Sequence, residues 1–399
     1  NYWGTPLPIW VNDETGEHRV IGSFDELENK VGELPDDFDP HKHQADELTW
    51  EDEDGTWRRV PDVMDVWFDS GSAPFASLHY PFEEEPFESM FPMDFITESS
   101  DQIRGWFYTT MFCGILGFDQ RQYDQVLFQS HVLRADGGKM SKSSGSTIHP
   151  DDQVEKYGAD LPRFYSLRIA PPWENTKYNE NEIENEIFRL FNTYYNTHQF
   201  HQTYADSDTE RPEELAPEDR WILSRLNRML AELPGFYDEG KTHRVARSLE
   251  DFILEDLSRW YVKKVRGRVK SGDDAAQWTL LHVLSRTNKA LAPLAPYITE
   301  ELYRGDKVSV HAEKFPEADK TMIDEDLEDR MELAREVVEQ AASVRSRNDY
   351  NLRWPARRMV LSLEDRASLE GLESLVMEMA NVRSVEHGDV AAELSARPD

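Results

Sequence analysis

The spacing of apolar residues changes near Glu182, and this change constrains the fold more than any other feature of the chain. From there Ile183, Ile187, Leu190, Phe191, Tyr194 and Tyr195 recur at helical spacing and make one apolar stripe. Further helical patterns run over about 218–237, 241–270, 274–303 and 326–348, so this region reads as a helical bundle. Pro212, Pro217, Pro293 and Pro296 fall where helices start or kink. Upstream, short apolar runs at 3–11, 63–68, 94–97 and 125–133 read as strands, with a helical stretch at 105–116. Alternating strand and helix predicts a doubly wound, Rossmann-like α/β sheet. Between Asp13 and Trp57 the chain is acidic, with turn signals at Glu14-Thr15-Gly16 and Asp54-Gly55, which reads as an insertion. After Asn351 a strand-like 358–363, a helix over 367–379 and a short run at 382–385 predict a small α+β appendix. No internal repeat is visible.

Composition excludes several classes. A length of 399 residues allows two to four domains, and 39% hydrophobic content is ample for cores. No run approaches the roughly 20 apolar residues of a membrane helix, and the first residues lack the pattern of a secretory signal, so a soluble, cytoplasmic chain without a membrane partner is expected. A single cysteine, Cys113, excludes an intramolecular disulfide and a multi-cysteine zinc site, so no metal site and no zinc are expected. His41 and His43 read as solvated surface rather than ligands.

Charge is the odd feature. The chain has 78 acidic against 44 basic residues, a net charge of −34, and Arg outnumbers Lys by 30 to 14. Such a field repels phosphate, because nucleic-acid affinity normally comes from cations displacing counterions. Two readings compete: a surface suited to a halophilic cytosol, where salt screens the self-repulsion, or an acidic protein with no nucleic-acid partner.

Motifs weigh against the second. Lys139-Met140-Ser141-Lys142-Ser143 follows Asp136-Gly137-Gly138, whose glycines permit a mobile turn. Lysines beyond such a turn suit a triphosphate: when the α-phosphorus is attacked and pyrophosphate leaves, ammonium groups on the leaving oxygens stabilise the developing charge. Lys142 is the first candidate for that role and Lys139 the second; a solvated polar loop is the alternative. Residues 259–270 hold the only dense basic run, and helical spacing puts Lys263, Arg266 and Lys270 near one face, with Lys264 and Arg268 in the same run. A solvated helix terminus complementing its own dipole is the bland reading. Elsewhere Glu98 and Asp101 are able to accept hydrogen bonds from ribose hydroxyls, Gln102 offers an amide oxygen to an α-ammonium, and Trp67 and Trp106 offer rigid apolar walls. Taken singly, each is as well explained by core packing or capping.

Taken in order, they resemble the class I aminoacyl-tRNA synthetases. A strand-like run, the Lys139–Ser143 loop and then Lys156-Tyr157-Gly158-Ala159-Asp160 with Arg163-Phe164-Tyr165 follow the family's sequence of last sheet strand, signature loop and stem-contacting segment. Residues 2–10, from Tyr2-Trp3-Gly4-Thr5-Pro6, residues 62–71, with Asp65-Val66-Trp67-Phe68-Asp69-Ser70-Gly71, and residues 94–108, with Glu98-Ser99-Ser100-Asp101-Gln102-Ile103-Arg104-Gly105-Trp106, resemble the isoleucine branch more than the valine or leucine ones.

The resemblance implies an enzyme that activates isoleucine with ATP and Mg2+ and passes it to tRNA-Ile. It implies ATP or adenylate contacts at Glu98, Asp101, Gln102, Lys139, Met140, Ser141, Lys142 and Ser143. It also implies an amino-acid pocket at Trp67, Gln102 and Trp106, and tRNA contacts at Lys263, Lys264, Arg266, Arg268 and Lys270. Residues 345–358, with Leu352-Arg353-Trp354-Pro355, are a further RNA-contact candidate.

The implied domains are 1–135, the second half of a Rossmann-like catalytic domain with an insertion at about 12–57; 136–180, signature loop and stem contact; 181–325, an anticodon-binding bundle; and 326–399, a truncated appendix. Two positions depart from the family: Ser99 stands where glycine is usual, and Pro162 where helix formers are, predicting a kink. Neither an editing domain nor a His-x-Gly-His turn is present in these 399 residues, so a missing N-terminal half is an expected partner. The rival readings are a non-catalytic tRNA-binding fragment, a valine or leucine ligase, and a metabolic nucleotidylyltransferase.

Overall fold

Trp10, Trp50 and Trp57 are buried together, the last two stacked with ring centroids 5.7 Å apart and planes at 13°. They hold together the first sheet of the computed structural model, which describes residues 4–140, 147–205, 210–361 and 369–387. The chain forms two units, Asn1–His131 and Val132–Asp399.

In the first unit, β1 (Ile9–Asn12) and β2 (His18–Val20) lead into α1 (Phe24–Val31) and α2 (Lys42–Ala45). Strands β3 (Thr49–Asp52) and β4 (Gly55–Arg59) complete an antiparallel sheet of order β2-β1-β4-β3. The acidic insertion is thus a small folded subdomain. Gly55 makes its turn at φ 130°, where a Cβ would meet Glu14 at 2.8 Å. Arg59, 7% exposed, pairs with Asp46 and donates to the carbonyls of Leu7 and Asp62, tying the subdomain to the segments that flank it.

The predicted strand at 63–68 does not form. Only Val63 makes a bridge, to Pro6, and Asp65 then caps a helix by accepting the Trp67 N–H at 2.8 Å. A short apolar run does not by itself distinguish strand from helix, and here the cap decides. The helix is α3 (Val66–Gly71), followed by α4 (Ala73–Ala76) and α5 (Glu84–Met90). Next come β5 (Met93–Ser99), α6 (Trp106–Phe118) and β6 (Tyr123–Gln129), a β–α–β unit whose strands pair in parallel from Met93↔Tyr123 to Ser99↔Gln129, as a doubly wound sheet requires. Gly71 lets α3 lie against α6, since a Cβ there would come within 2.8 Å of the Thr109 carbonyl. Fully buried Gln122 clamps the pair by donating to the carbonyls of Gly71 and Thr110 at 2.9 and 2.7 Å.

The second unit opens with β7 (Val132–Leu133), so the run read as one strand over 125–133 is divided between the units. Helices α7 (Pro150–Tyr157) and α8 (Asp160–Arg168) precede β8 (Thr176–Lys177), which pairs in parallel with β7. Then α9 (Glu180–Glu182) passes through a wider π-helical turn, Ile183–Ile187, into α10 (Phe188–Tyr204). The bundle continues with α11 (Pro217–Asp238), α12 (Thr242–Asp251), a second π-helical stretch at Phe252–Val262, α13 (Lys263–Lys270), α14 (Asp274–Leu291), α15 (Pro296–Leu302) and α16 (Glu325–Arg347). The appendix has β9 (Met359–Leu361), α17 (Glu373–Ala380) and β10 (Val385–His387), the two strands parallel.

The apolar stripe lines the bundle core as expected, except that Tyr195 lies at its margin and is 42% exposed. Pro162 does not kink its helix. It sits in the first turn of α8, where the missing N–H has no helical partner to lose. Pro217 and Pro296 likewise begin helices.

Two imidazoles are buried in α10. His198 and His201 are 7% and 5% exposed, and among the described residues the Nε2 of each has no hydrogen-bond partner. Burial holds His198 down to about 3 and lowers His201. In the unfolded chain both take up protons near pH 6.5. Their contribution to stability is therefore complete above about pH 6.5 and is lost as pH falls toward about 3. Urea unfolding from pH 8 to pH 4 should show stability declining through this range, and His198→Leu should flatten the decline; an equal slope in the variant would refute the assignment.

Candidate functional site

In the first unit, the end of β5 and the turn after it gather the predicted residues. Glu98 is exposed in register with Phe128. Beyond Ser99, a tight 3-10 turn, Ser100–Arg104, carries Asp101 and Gln102. The neighbouring Ser99 side chain and the Gln102 amide, which donates to Asp101 at 2.9 Å, hold the Asp101 carboxyl below the usual range. The Gln102 oxygen accepts the Trp106 N–H at 2.9 Å at the start of α6, and the Trp106 indole donates to the Ser70 carbonyl of α3 at 2.8 Å. Trp67, 42% exposed, lies over Gly105, where a Cβ would sit 3.2 Å from its ring and 2.7 Å from the Gln102 oxygen.

Trp67, Asp101, Gln102 and Trp106 thus form one connected group, held by two helix starts and a glycine. One lone pair of the Gln102 oxygen is already committed, leaving the other for a ligand. Ser99 departs from the family's glycine, and its side chain is the first influence lowering Asp101. That partnership, and the need for Gly105, were not visible in the sequence; only the departure at position 99 marked the place.

In the second unit, the turn before the lysines is closed rather than loose. Gly137 N–H donates to the Arg134 carbonyl at 2.8 Å, Arg134 N–H to the Gly138 carbonyl at 2.9 Å, and Gly138 N–H to the Asp136 carboxylate at 2.9 Å. Gly137 takes φ 84°, and Arg134 pairs with Asp136. Lys139 is exposed and bridges to Leu133, and Met140 is half-buried beside it. Ser141, Lys142 and Ser143 lie outside the described residues. Downstream, Lys156 pairs with Glu180 and Glu184 at 2.9 and 3.0 Å, and the Tyr157 hydroxyl donates to the same carboxylates at 2.7 Å.

The basic run is divided by the geometry of its helix. Lys263, Arg266 and Lys270 are exposed along one face of α13, with Arg266 5.4 Å from the Phe200 ring centre and Lys270 4.6 Å from that of Tyr204. Lys264 and Arg268 face the other way, toward carboxylates. Lys264 pairs with Glu218 and Glu378; Arg268 pairs with Glu218, Asp219 and Asp273 at 3.1, 2.8 and 3.0 Å. Positions 264 and 268 share a helical face that 263, 266 and 270 do not.

Arg345 is also internal. Only 2% exposed, it donates to the carbonyls of Trp354, Ala380 and Asn381 at 2.8, 3.0 and 2.7 Å, which corrects its place among RNA-contact candidates and leaves Leu352, Arg353 and Trp354 at the surface. His41 and His43 both pair with Asp39.

Comparison with known proteins gives the group a context. Residues 1–178 match the family of tRNA synthetases class I (I, L, M and V), and residues 219–360 match the anticodon-binding domain of tRNA ligase. The chain carries a class I tRNA synthetase catalytic segment and an anticodon-binding domain. Isoleucine–tRNA ligase of Methanopyrus kandleri is 41% identical over 97% of this chain and 39% of its own length. That of Methanothermobacter thermautotrophicus is 40% identical over 96% of this chain and 39% of its own. The chain therefore spans about two-fifths of the length of these relatives.

Solved structures share the fold. A LeuRS–tRNA–LeuAMS ternary complex from Agrobacterium radiobacter K84 superposes with a TM-score of 0.61 at 20% identity, covering 81% of this chain and 42% of that one. A Mycobacterium tuberculosis methionyl-tRNA synthetase with methionyl-adenylate gives 0.52 at 20% identity, covering 64% and 52%. Among the described residues no helix is long and apolar enough to cross a membrane.

The Ser99 contact is open to direct test. Ser99→Gly removes the largest influence lowering Asp101, so the Asp101 carboxyl should titrate closer to the usual carboxylate range, read by carboxyl-carbon NMR on the labelled chain. An unmoved titration would show that the hydroxyl does not act on Asp101.

Proposed function

We propose that this chain serves isoleucine–tRNA ligation, supplying part of the adenylate-forming site and the tRNA-binding bundle. The observation that carries this reading is the connected group of Ser99, Asp101, Gln102, Trp106 and Trp67 at the end of β5, in a chain matched over 97% of its length by a ligase of that name. In this reading Glu98 and Asp101 accept hydrogen bonds from the ATP ribose, and Trp67 and Trp106 flank the isoleucine side chain. The free lone pair of Gln102 receives the ammonium, and Lys139 with Lys142 bind the phosphates. The isoleucine carboxylate attacks the α-phosphorus, the bond to the β-phosphate breaks, and pyrophosphate departs with the electron pair; a terminal ribose hydroxyl of tRNA-Ile then takes the isoleucyl group from the adenylate. Mg2+ arriving on the ATP phosphates supplies charge neutralisation there. Acceleration comes from placement and electrostatics.

Phosphates of the tRNA lie, in the same reading, along Lys263, Arg266 and Lys270. The rest of the catalytic sheet is supplied from outside this chain: Phe95 and Val126 on the β5–β6 pair, and Tyr108, Ile115 and Leu116 on α6, are 48–63% exposed, an apolar face suited to further strands and helices. The acidic surface suits concentrated salt, and unfolding midpoints should rise into molar KCl.

Isoleucine-dependent ATP–pyrophosphate exchange, measured in high salt with and without the N-terminal part of the ligase, tests the activity. Exchange only with the added part is expected; silence in both, with tRNA binding retained, would favour a non-catalytic tRNA-binding fragment. In the reconstituted enzyme Lys142→Ala should slow exchange by roughly two or more orders of magnitude with little change in isoleucine KM. An unchanged rate would remove the loop from the site. For tRNA, alanine at Lys263, Arg266 or Lys270 should each reduce the salt slope of binding by about 1, whereas Lys264→Ala should leave the slope intact and lower stability. The reverse pattern would overturn the assignment of faces on α13.

A further inference from the structure

Strand β7 has a partner on each side. Leu133 is in parallel register with Lys177 of β8, and across the antiparallel turn it is bridged to Lys139. Residues in register on neighbouring strands carry their side chains on the same face of a sheet. Lys139 and Lys177 therefore project to one side, with Leu133 between them and their backbones about 10 Å apart, two strand spacings.

The Lys177 side chain lies along the turn. A Cβ on Gly137 would lie 3.5 Å from its Cε and 3.8 Å from its ammonium nitrogen, so the ammonium sits at the foot of the loop that carries Lys139. Neighbouring charge reinforces the point. Arg134, the other cation at the turn, is taken up by Asp136, while no carboxylate among the described residues pairs with Lys177. In a chain with 78 acidic residues and only 14 lysines, two lysines on one face of the β7–β8 pair and its bridged turn, neither paired with a carboxylate among the described residues, make a local anion site.

We infer that Lys177 is a further phosphate-binding residue of the adenylation reaction, acting beside Lys139 on the β- and γ-phosphates of ATP. The inference rests on the adenylate-forming reading above and names a residue that reading does not include. As the isoleucine carboxylate oxygen bonds to the α-phosphorus and the bond to the β-phosphate breaks, the electron pair and negative charge pass to pyrophosphate. The Lys177 ammonium donates hydrogen bonds to those oxygens without giving up its proton.

Two measurements test this. In the first, tripolyphosphate is titrated into this chain carrying carbon-13-methylated lysines. The Lys177 resonance, assigned by its loss in Lys177→Ala, should shift saturably, and the variant should bind tripolyphosphate about tenfold more weakly. In the second, the reconstituted ligase carrying Lys177→Ala should lose about ten- to a hundredfold in exchange kcat with isoleucine KM unchanged, and Lys177→Arg should restore most of the loss. Lys177 is exposed, so the variants should fold, and their thermal midpoints should match the parent.

A parent enzyme with normal exchange and a Lys177→Ala variant equal to it would overturn the inference while leaving the proposed function standing. A parent without isoleucine-dependent exchange, even with the rest of the ligase present, would overturn both. A lowered thermal midpoint in Lys177→Ala with an unmoved tripolyphosphate titration would make the residue structural and overturn the inference.

Discussion

Asp160 is 6% exposed, and its carboxylate accepts the N–H groups of Tyr297 and Ile298 at 3.2 and 2.6 Å where α15 begins. A carboxylate costs several kcal/mol to bury alone, and unpaired N–H groups at a helix start are costly when covered; each removes the other's penalty, and the charge sits at the favourable end of the helix dipole. The contact fixes α8 to α15 across 137 residues of sequence. Arg163 reinforces it by donating to the Pro293 carbonyl at 3.0 Å, Arg247 donates to the carbonyls of Arg168 and Ile169, and Arg168 pairs with Glu250 at 2.6 Å. Through these bonds the segment that follows the signature loop is part of the bundle's framework and not a linker to it.

The same framework explains where the cations go. With nearly twice as many acids as bases, many guanidinium groups are drawn inward to carboxylates: Arg225 and Arg228 share Glu328, Arg335 pairs with Asp256, and Arg268 holds buried Asp219. Leaving one such partner unpaired would be costly, so these residues are fixed by the fold. Arg345 does without a carboxylate; its two terminal nitrogens donate to carbonyls, which pins the 351–354 turn to the end of α17. Lys139, Lys177, Lys263, Arg266 and Lys270 are exposed and have no ion pair among the described residues, so they give positive character to particular places on an otherwise acidic protein.

Much of this was legible beforehand, for identifiable reasons. The stripe from Ile183 to Tyr194 announced the bundle because a buried helical face imposes its period on the sequence. The parallel pair β5 and β6 was announced by apolar runs separated by a helix. The misreadings share a different cause. Residues 63–68 read as a strand because the capping side chain of Asp65 carries no periodicity, and helical spacing alone does not show that Lys264 and Arg268 meet acids at Glu218 and Asp219, more than 40 residues away. At Ser99 only the departure from glycine is visible in the sequence, because it takes the folded turn to bring Asp101 under that side chain's influence. Residues in the candidate group were found from order along the chain; their bonds to one another were not.

The Gln102 carboxamide does two things at once. Its nitrogen steadies Asp101 while its oxygen holds the first N–H of α6, and the indole of that same first residue reaches back to α3. A ligand that engages Asp101 stiffens the amide, and one that engages the amide stiffens Asp101; whatever free energy the first ligand contributes to ordering the pair, the second no longer has to supply. Occupancy on the two sides of Gln102 is thereby thermodynamically linked, and the linkage is equal in both directions. A single side chain in this position couples the two sides of the group without any movement of the helices that carry them.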